Sequence, residues 1–200
     1  MITKYYIKEF EFSERDKWKA YIYFPSDTLF LDIETEGISK ELNEITLIGI
    51  YKQGKYIPFI KDMNLEKALK YLDTTPIWVT FGGENFDLPF IKKKFPFLEM
   101  PIIHLDLFFL TRRIGLKGGL KKIEKQLGIN RKTDGMNGYH AVKLWRKWTR
   151  FKDKEALRKL ILYNKEDVKN LKKILDYVIN KLLFEEERNE KESHEGIIKI

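Results

Sequence analysis

The 200-residue sequence has no cysteine and only three histidines, His104, His140 and His194, which lie far apart along the chain. The first absence excludes disulfides and every thiolate metal site, and the second argues against a histidine-rich one. A metal would have to be held by oxygen, which favours Mg²⁺ or Mn²⁺. Long hydrophobic runs are missing too. No segment approaches the ~20 apolar residues that cross a bilayer, and Met1 to Glu9 lacks the uninterrupted apolar core of a signal peptide. These absences point to a cytoplasmic protein without a membrane partner. There is no internal repeat, and the length suits one α/β domain better than two.

What the sequence has in excess is charge. Charged residues make up 34 % of it, against a usual ~25 %. Abundant Lys, Glu and Ile would suit an organism living at high temperature. The formal net charge is +8 and is unevenly spread: Phe184 to Ile200 holds six acids and three bases, so the rest of the chain is more basic than the total. A basic domain attracts polyanions, and nucleic acid is the commonest of them. A solvated, Lys-rich surface would account for the same charge.

Local patterns give an order of elements. Tyr5 to Phe12 alternates apolar and polar residues like an edge strand or arm, and Leu29 to Glu34 is a short apolar run ending in acids. Glu44 to Tyr51 and Tyr56 to Ile60 read as strands joined by a turn over Lys52-Gln53-Gly54-Lys55. Asn64 is placed to N-cap a helix to about Leu72. Ile77 to Phe81 reads as a strand broken by Gly82-Gly83, Phe86 to Phe95 as a helix, and Ile102 to Leu105 as a strand. A long amphipathic helix is predicted from Asp153 to Phe184, followed by an acidic, mobile tail over 184–200. Its apolar end, Ile197-Ile198-Lys199-Ile200, could pair with a sheet edge or a neighbouring subunit and so make a homo-oligomer. The domain proper is expected to span residues 1–183, as a mixed sheet with helices on both faces.

Four acids carry the functional reading. Asp32 and Glu34, in Phe30-Leu31-Asp32-Ile33-Glu34-Thr35, point to one face of a strand because side chains alternate. The apolar neighbours suggest a buried strand, where a divalent cation would offset the repulsion; a strand end dipping into water would also tolerate the pair. Asp87, in Glu84-Asn85-Phe86-Asp87, follows a strand and a Gly-Gly break, and a helix cap explains it equally well. Tyr163 and Asp167 are four apart on the last helix and share a face, though Tyr163 could simply pack.

Taken together and in this order, these motifs resemble the DEDD superfamily of 3′–5′ exonucleases, in its DEDDy branch. Asp-x-Glu is matched by Asp32 and Glu34, the Asp after Asn-Phe by Asp87, and Tyr-x-x-x-Asp by Tyr163 and Asp167. The position where the His branch carries histidine is Leu162. The sequence is similar to the proofreading domain of family B DNA polymerases, and to stand-alone bacterial and archaeal ribonuclease H-like exonucleases. The latter share Asp106-Leu107, the Leu127 to Gly135 stretch and Tyr163 to Val168. One departure stands out: Gly82 takes the place of an Asn in the second motif.

The resemblance implies an α/β ribonuclease H-like fold with a mixed five-stranded sheet flanked by helices. It implies hydrolysis of single-stranded nucleic acid from 3′ ends by two divalent cations, Mg²⁺ or Mn²⁺, held by Asp32, Glu34, Asp87 and Asp167. DNA is the expected substrate and DNA repair the expected setting, with an RNA-preferring enzyme or a catalytically silent binding module as alternatives. Tyr163 would orient the attacking water. Thr35, Phe81, Asn85, Phe86 and Tyr139 are candidates for substrate contact, with stacking from the aromatic rings. Lys117, Lys121, Lys122, Arg131, Lys132, Lys143, Arg146 and Lys147 are candidates for phosphate contact. Asp106 reads as a helix cap outside the site, His140 as structural, and Trp145 and Trp148 as core.

Overall fold

The computed structural model describes residue 7 and residues 10–197, with side chains as far as residue 192. Half of the strand expected over Tyr5 to Phe12 and the apolar end from Ile198 lie outside the described residues, and the described half, Ile7 and Phe10 to Phe12, is in no strand. Five strands form one mixed sheet: β1 (Thr28–Thr35), β2 (Ile45–Lys52), β3 (Lys55–Ile60), β4 (Ile77–Thr80) and β5 (Ile103–Asp106), in the spatial order β3-β2-β1-β4-β5. β2 runs antiparallel to both β1 and β3, while β4 and β5 run parallel to β1. The run of apolar residues around Asp32 thus marks the middle strand, covered on both faces. The turn between β2 and β3 has two residues, Gln53 and Gly54, both at positive φ, as a tight hairpin demands.

The helices are α1 (Lys19–Tyr23), α2 (Leu69–Thr74), α3 (Asp87–Lys94), α4 (Leu107–Arg113), α5 (Leu120–Gln126), α6 (Gly138–Phe151) and α7 (Lys154–Ile197). Alternation along β1 sorts its side chains between two layers. Leu29, Leu31 and Ile33 pack with Trp78 of β4, Leu72 of α2 and Phe90 and Ile91 of α3. Phe30 faces the other way, into a core built with Val168, Leu171 and Leu175 of α7, Ile123 of α5 and Ala20 of α1. A third cluster seats Ala141 and Trp145 of α6 and Leu160 of α7 on Leu47 and Ile60. Each fully buried aliphatic side chain contributes ~1.5–3 kcal/mol, so this alternation fixes the register of β1 and with it the face on which Asp32 and Glu34 emerge.

Three local expectations change. Asn64 caps no helix; its Oδ1 accepts from Ile60 N at 2.7 Å, and a 3₁₀ turn, Leu65–Ala68, precedes α2. Asp87 is not a cap either, since its side chain reaches across to β1. The last helix begins after Asp153, whose Oδ1 accepts from the amides of Glu155 and Ala156, but it runs past Phe184 to Ile197. Acidic and basic residues of that extension are good helix formers, and Glu186 pairs with Lys19 of α1 at 2.9 Å. Among the described residues no helix is long and apolar enough to cross a membrane.

Candidate active site

β1 and α7 bring three of the four acids together. Asp32, Glu34 and Asp167 each offer a carboxylate oxygen, and these atoms lie within 4.8 Å of one another. Asp87 is not part of that triangle. Its Oδ1 accepts from Ile33 N at 3.0 Å, which ties the start of α3 to β1. All four acids line one cleft of about 600 Å³.

The approach of α7 to β1 rests on a glycine and an asparagine. Asn164 is fully buried, and its Nδ2 donates to Asp32 Oδ2 at 2.8 Å and to the Asp32 carbonyl at 3.2 Å. Its Oδ1 accepts from Tyr56 Oη at 2.9 Å. Gly49 pairs with Asp32 across the sheet, and a Cβ there would lie 1.7 Å from Asn164 Oδ1. Gly49→Ala is therefore expected to cost about 1–3 kcal/mol by overpacking and to displace Asn164 from Asp32. Urea denaturation reads the first effect and the rate constant the second.

The electrostatics of the cluster are those of crowded acids, Glu34 and Asp167 buried and Asp32 half-buried. Burial, then Asp167 and Glu34, hold the Asp32 carboxyl well above the usual carboxylate range. Burial and Asp167 do the same to Glu34, whose Oε1 has no hydrogen-bond partner. Asp167 is also raised by burial, against the pull of Lys121 and Arg131. Asp87 is pushed up to about 7, chiefly by burial, with the Ile33 amide opposing. A close set of desolvated oxygens, one of them orphaned, fits a hard divalent cation, and the absence of sulfur and histidine fits Mg²⁺ or Mn²⁺.

A pH dependence of stability follows. In the unfolded chain an Asp ionises near pH 3.9, whereas in the fold Asp87 keeps its proton to about 7. The folded state is favoured by this group fully below its unfolded pKa, and that advantage is lost as the pH climbs to 7, at about 1.4 kcal/mol per unit. The protein in EDTA should thus unfold at lower urea at pH 8 than at pH 5, and Mn²⁺ should narrow the gap. A midpoint in EDTA that rises over this range would contradict the assignment.

Tyr163 is 4 % exposed, and its Oη accepts from Lys121 Nζ at 2.6 Å. Burial and the three acids raise its pKa far above the ordinary phenol, so it stays protonated with one hydrogen left to donate. Phe81 and Phe86 are half-buried on the cleft wall, and Tyr139 presents an exposed ring flanked by Lys143 Nζ, 4.3 Å from its centroid. Thr35 lies at the rim and donates through Oγ1 to the Gly37 carbonyl at 2.6 Å, which shapes that turn. Asn85 is exposed and is not among the residues lining the cleft.

Gly82 adopts φ +74°, and a Cβ there would meet no atom within 4 Å. Asn and Gly both visit that backbone conformation, and the space beside Gly82 would admit a side chain. The loop is held by Asp106, whose Oδ1 accepts from Gly82 N at 2.6 Å and from Phe108 N at 2.9 Å, while Oδ2 accepts from Glu84 N at 3.1 Å. Asp106 is thus a helix cap as expected, and also the anchor of the turn that delivers Asp87. His140 forms a reciprocal cap with Asn137 at the start of α6. Trp145 is buried.

Sequence reasoning missed the supporting residues. Asn164 lies inside the Tyr163 to Val168 motif, where nothing local marks it as a partner of Asp32. Arg131, expected to contact phosphate, has a side chain only 4 % exposed and pairs with Asp167 and Glu124. A basic residue in a charged loop carries no local sign of such burial. Arg146 does line the cleft, whereas Lys121 is engaged by Tyr163 Oη at 2.6 Å and lies 3.8 Å from Asp167 Oδ1.

Comparison with known proteins agrees with this architecture. No match was found among curated proteins. Among solved structures, NrnC of Brucella melitensis bound to pGG aligns with a TM-score of 0.53 at 18 % identity, over 80 % of this chain and 77 % of that one. The same protein with bound Mg²⁺ aligns at 0.52 and 18 %, with the same shares, 80 % and 77 %. A structure described as the apo form of the nuclease aligns at 0.56 and 16 %, over 87 % and 79 %. Likeness at this identity concerns the fold, a mixed five-stranded α/β sheet of the ribonuclease H type. The model of the RNase H superfamily matches residues 29–179, from the start of β1 through the acids of α7, and the chain accordingly belongs to that superfamily.

Proposed function

We propose that the chain is a metal-dependent 3′–5′ exonuclease of the DEDDy type acting on single-stranded nucleic acid. The observation that carries this reading is the triangle of Asp32, Glu34 and Asp167 oxygens within 4.8 Å, in a cleft that also holds Asp87 and Tyr163. Two divalent cations, held by the four acids, would polarise the scissile phosphate and activate water. The chain's own residues then have defined tasks. Asn164 fixes Asp32, and the Ile33 amide fixes Asp87. Tyr163, with Lys121 on its oxygen, donates its remaining proton to place the attacking water. Phe81 and Phe86 flank the space for the terminal base, Tyr139 offers a face for stacking, and Arg146 supplies a cation on the same wall. The volume, about 600 Å³, is in the range of small-ligand sites. Mg²⁺ and pGG in the two NrnC structures support the metal and the class of substrate. Residues 1–183 form the catalytic unit in this reading, and the acidic end of α7 is an extension of it.

The test is a time course on 5′-labelled single-stranded DNA and RNA, with a two-nucleotide substrate in parallel, in Mg²⁺, Mn²⁺ or excess EDTA. A descending ladder with either metal and no reaction in EDTA is expected. Immediate release of a labelled 5′ mononucleotide would reverse the polarity. Binding without cleavage under every metal condition would make the chain a silent binding module.

A further inference from the structure

Arg131 sits on the segment between α5 and α6, and its Nη1 donates to Asp167 Oδ1 at 2.5 Å and to Glu124 Oε1 and Oε2 at 2.8 and 3.0 Å. Nη2 donates to Thr133 Oγ1 at 3.3 Å. Glu124 is fully buried and accepts a further hydrogen bond from Asn170 Nδ2 at 2.8 Å. A guanidinium this deep needs a counter-charge, and Glu124 alone provides one. The second contact, to an acid that faces the cleft, calls for a separate reason.

The backbone around Arg131 is pinned independently. Glu166, next to Asp167 on α7, accepts from Lys132 N at 2.7 Å, Thr133 N at 3.0 Å and Thr133 Oγ1 at 2.5 Å. The contacts to both carboxylates run through the single nitrogen Nη1, so it is the guanidinium, held on its far side by Glu124, that places Asp167 Oδ1. One oxygen of Asp167 is engaged and Oδ2 is left for a ligand. Glu124 and Arg131 are of opposite charge, and Glu124 offsets part of the pull that Arg131 exerts on Asp167.

We propose that Arg131, braced by Glu124, is a positioning residue that presents Asp167 to the divalent cation. The assignment rests on the metal-site reading above. Two consequences separate it from a packing role. Removing the pair without changing net charge weakens the metal rather than the fold alone, and loosening the same loop elsewhere does not.

The experiment is a Mn²⁺ titration by electron paramagnetic resonance on folded wild type, on the double variant Arg131→Met with Glu124→Gln, on Arg131→Lys, and on Glu166→Gln. The double variant should bind Mn²⁺ about 10- to 100-fold more weakly, the scale of losing a partner behind a ligand, with kcat lowered and KM for an oligonucleotide nearly unchanged. Arg131→Lys keeps the charge but has no planar guanidinium to hold Glu124 and Asp167 on one nitrogen while anchoring to Thr133 through another, so it too should bind Mn²⁺ more weakly. Glu166→Gln should melt earlier with Mn²⁺ affinity within about twofold of wild type, since it touches no proposed ligand. Unchanged Mn²⁺ affinity in the double variant or, should that variant fail to fold, in Arg131→Lys would overturn the proposal. Tighter binding would overturn it as well, because Arg131 would then be competing with the cation. Equal weakening in Glu166→Gln would assign the effect to the loop. Wild type that binds Mn²⁺ but cleaves nothing would sink the exonuclease reading and leave this assignment to the titration. Wild type that binds no Mn²⁺ would sink both.

Discussion

Asp32→Ala should lower the rate of nucleotide release by on the order of 10³-fold or more, beyond the ~10- to 100-fold typical when only a partner behind a ligand is lost. The same change should leave the metal-free fold as stable as wild type or more so. Asp32 stands on the central strand, its carboxyl raised by burial and by Asp167, Glu34 and Asp87. An acid so placed is a burden to the fold without a cation, because burial disfavours its charged form and its neighbours repel it. Alanine relieves both. Asn164 keeps one of its two bonds at this position, the one to the Asp32 carbonyl, so α7 remains seated on β1. Single-turnover kinetics and thermal melting in EDTA measure the two effects on one sample. A variant that still turns over within tenfold of wild type would remove Asp32 from the metal site. A variant that unfolds would give it a structural role instead.

The parts legible in the sequence are those whose signal is local. Period-two alternation around Asp32 and Glu34 gave their common face, and the apolar neighbours gave a covered strand. The two residues Gln53-Gly54 gave the hairpin. The four-residue step from Tyr163 to Asp167 gave one helix face carrying both groups. What could not be read was set by contacts between distant segments. Gly49 is an unremarkable strand residue until α7 is laid across it. Asn64 has the chemistry of a helix cap but finds Ile60 N first. Asp87 likewise has a capping position, and is taken instead by the Ile33 amide. Arg131 looks like surface charge, and only the loop between α5 and α6 folding onto α7 buries it. The helix extending to Ile197 is not legible because a run of Glu reads as solvated tail, although Glu is also a strong helix former.

Asp167→Asn and Asp106→Asn are expected to part company: Asp167 lies within α7, whereas Asp106 ends β5 and caps α4. Asparagine at 167 retains an oxygen to accept from Arg131, so the packing of α7 against the loop survives. It removes the charge that a cation needs, and turnover should fall by roughly 10²- to 10³-fold, the scale set by losing one preorganised electrostatic group, with little change in Tm. At 106 the balance is reversed. Three backbone amides, of Gly82, Glu84 and Phe108, converge on that carboxylate. An amide side chain would turn a donor toward at least one of them, and each bond lost there costs about 1–3 kcal/mol. The turn it anchors leads into Asp87, so some activity should go too, at most roughly tenfold, the low end for a supporting group. Melting curves and single-turnover rates measured below both transitions decide between these profiles. Equal inactivation of the two variants, in folded protein, would put Asp106 in the metal site and break the ligand set proposed above.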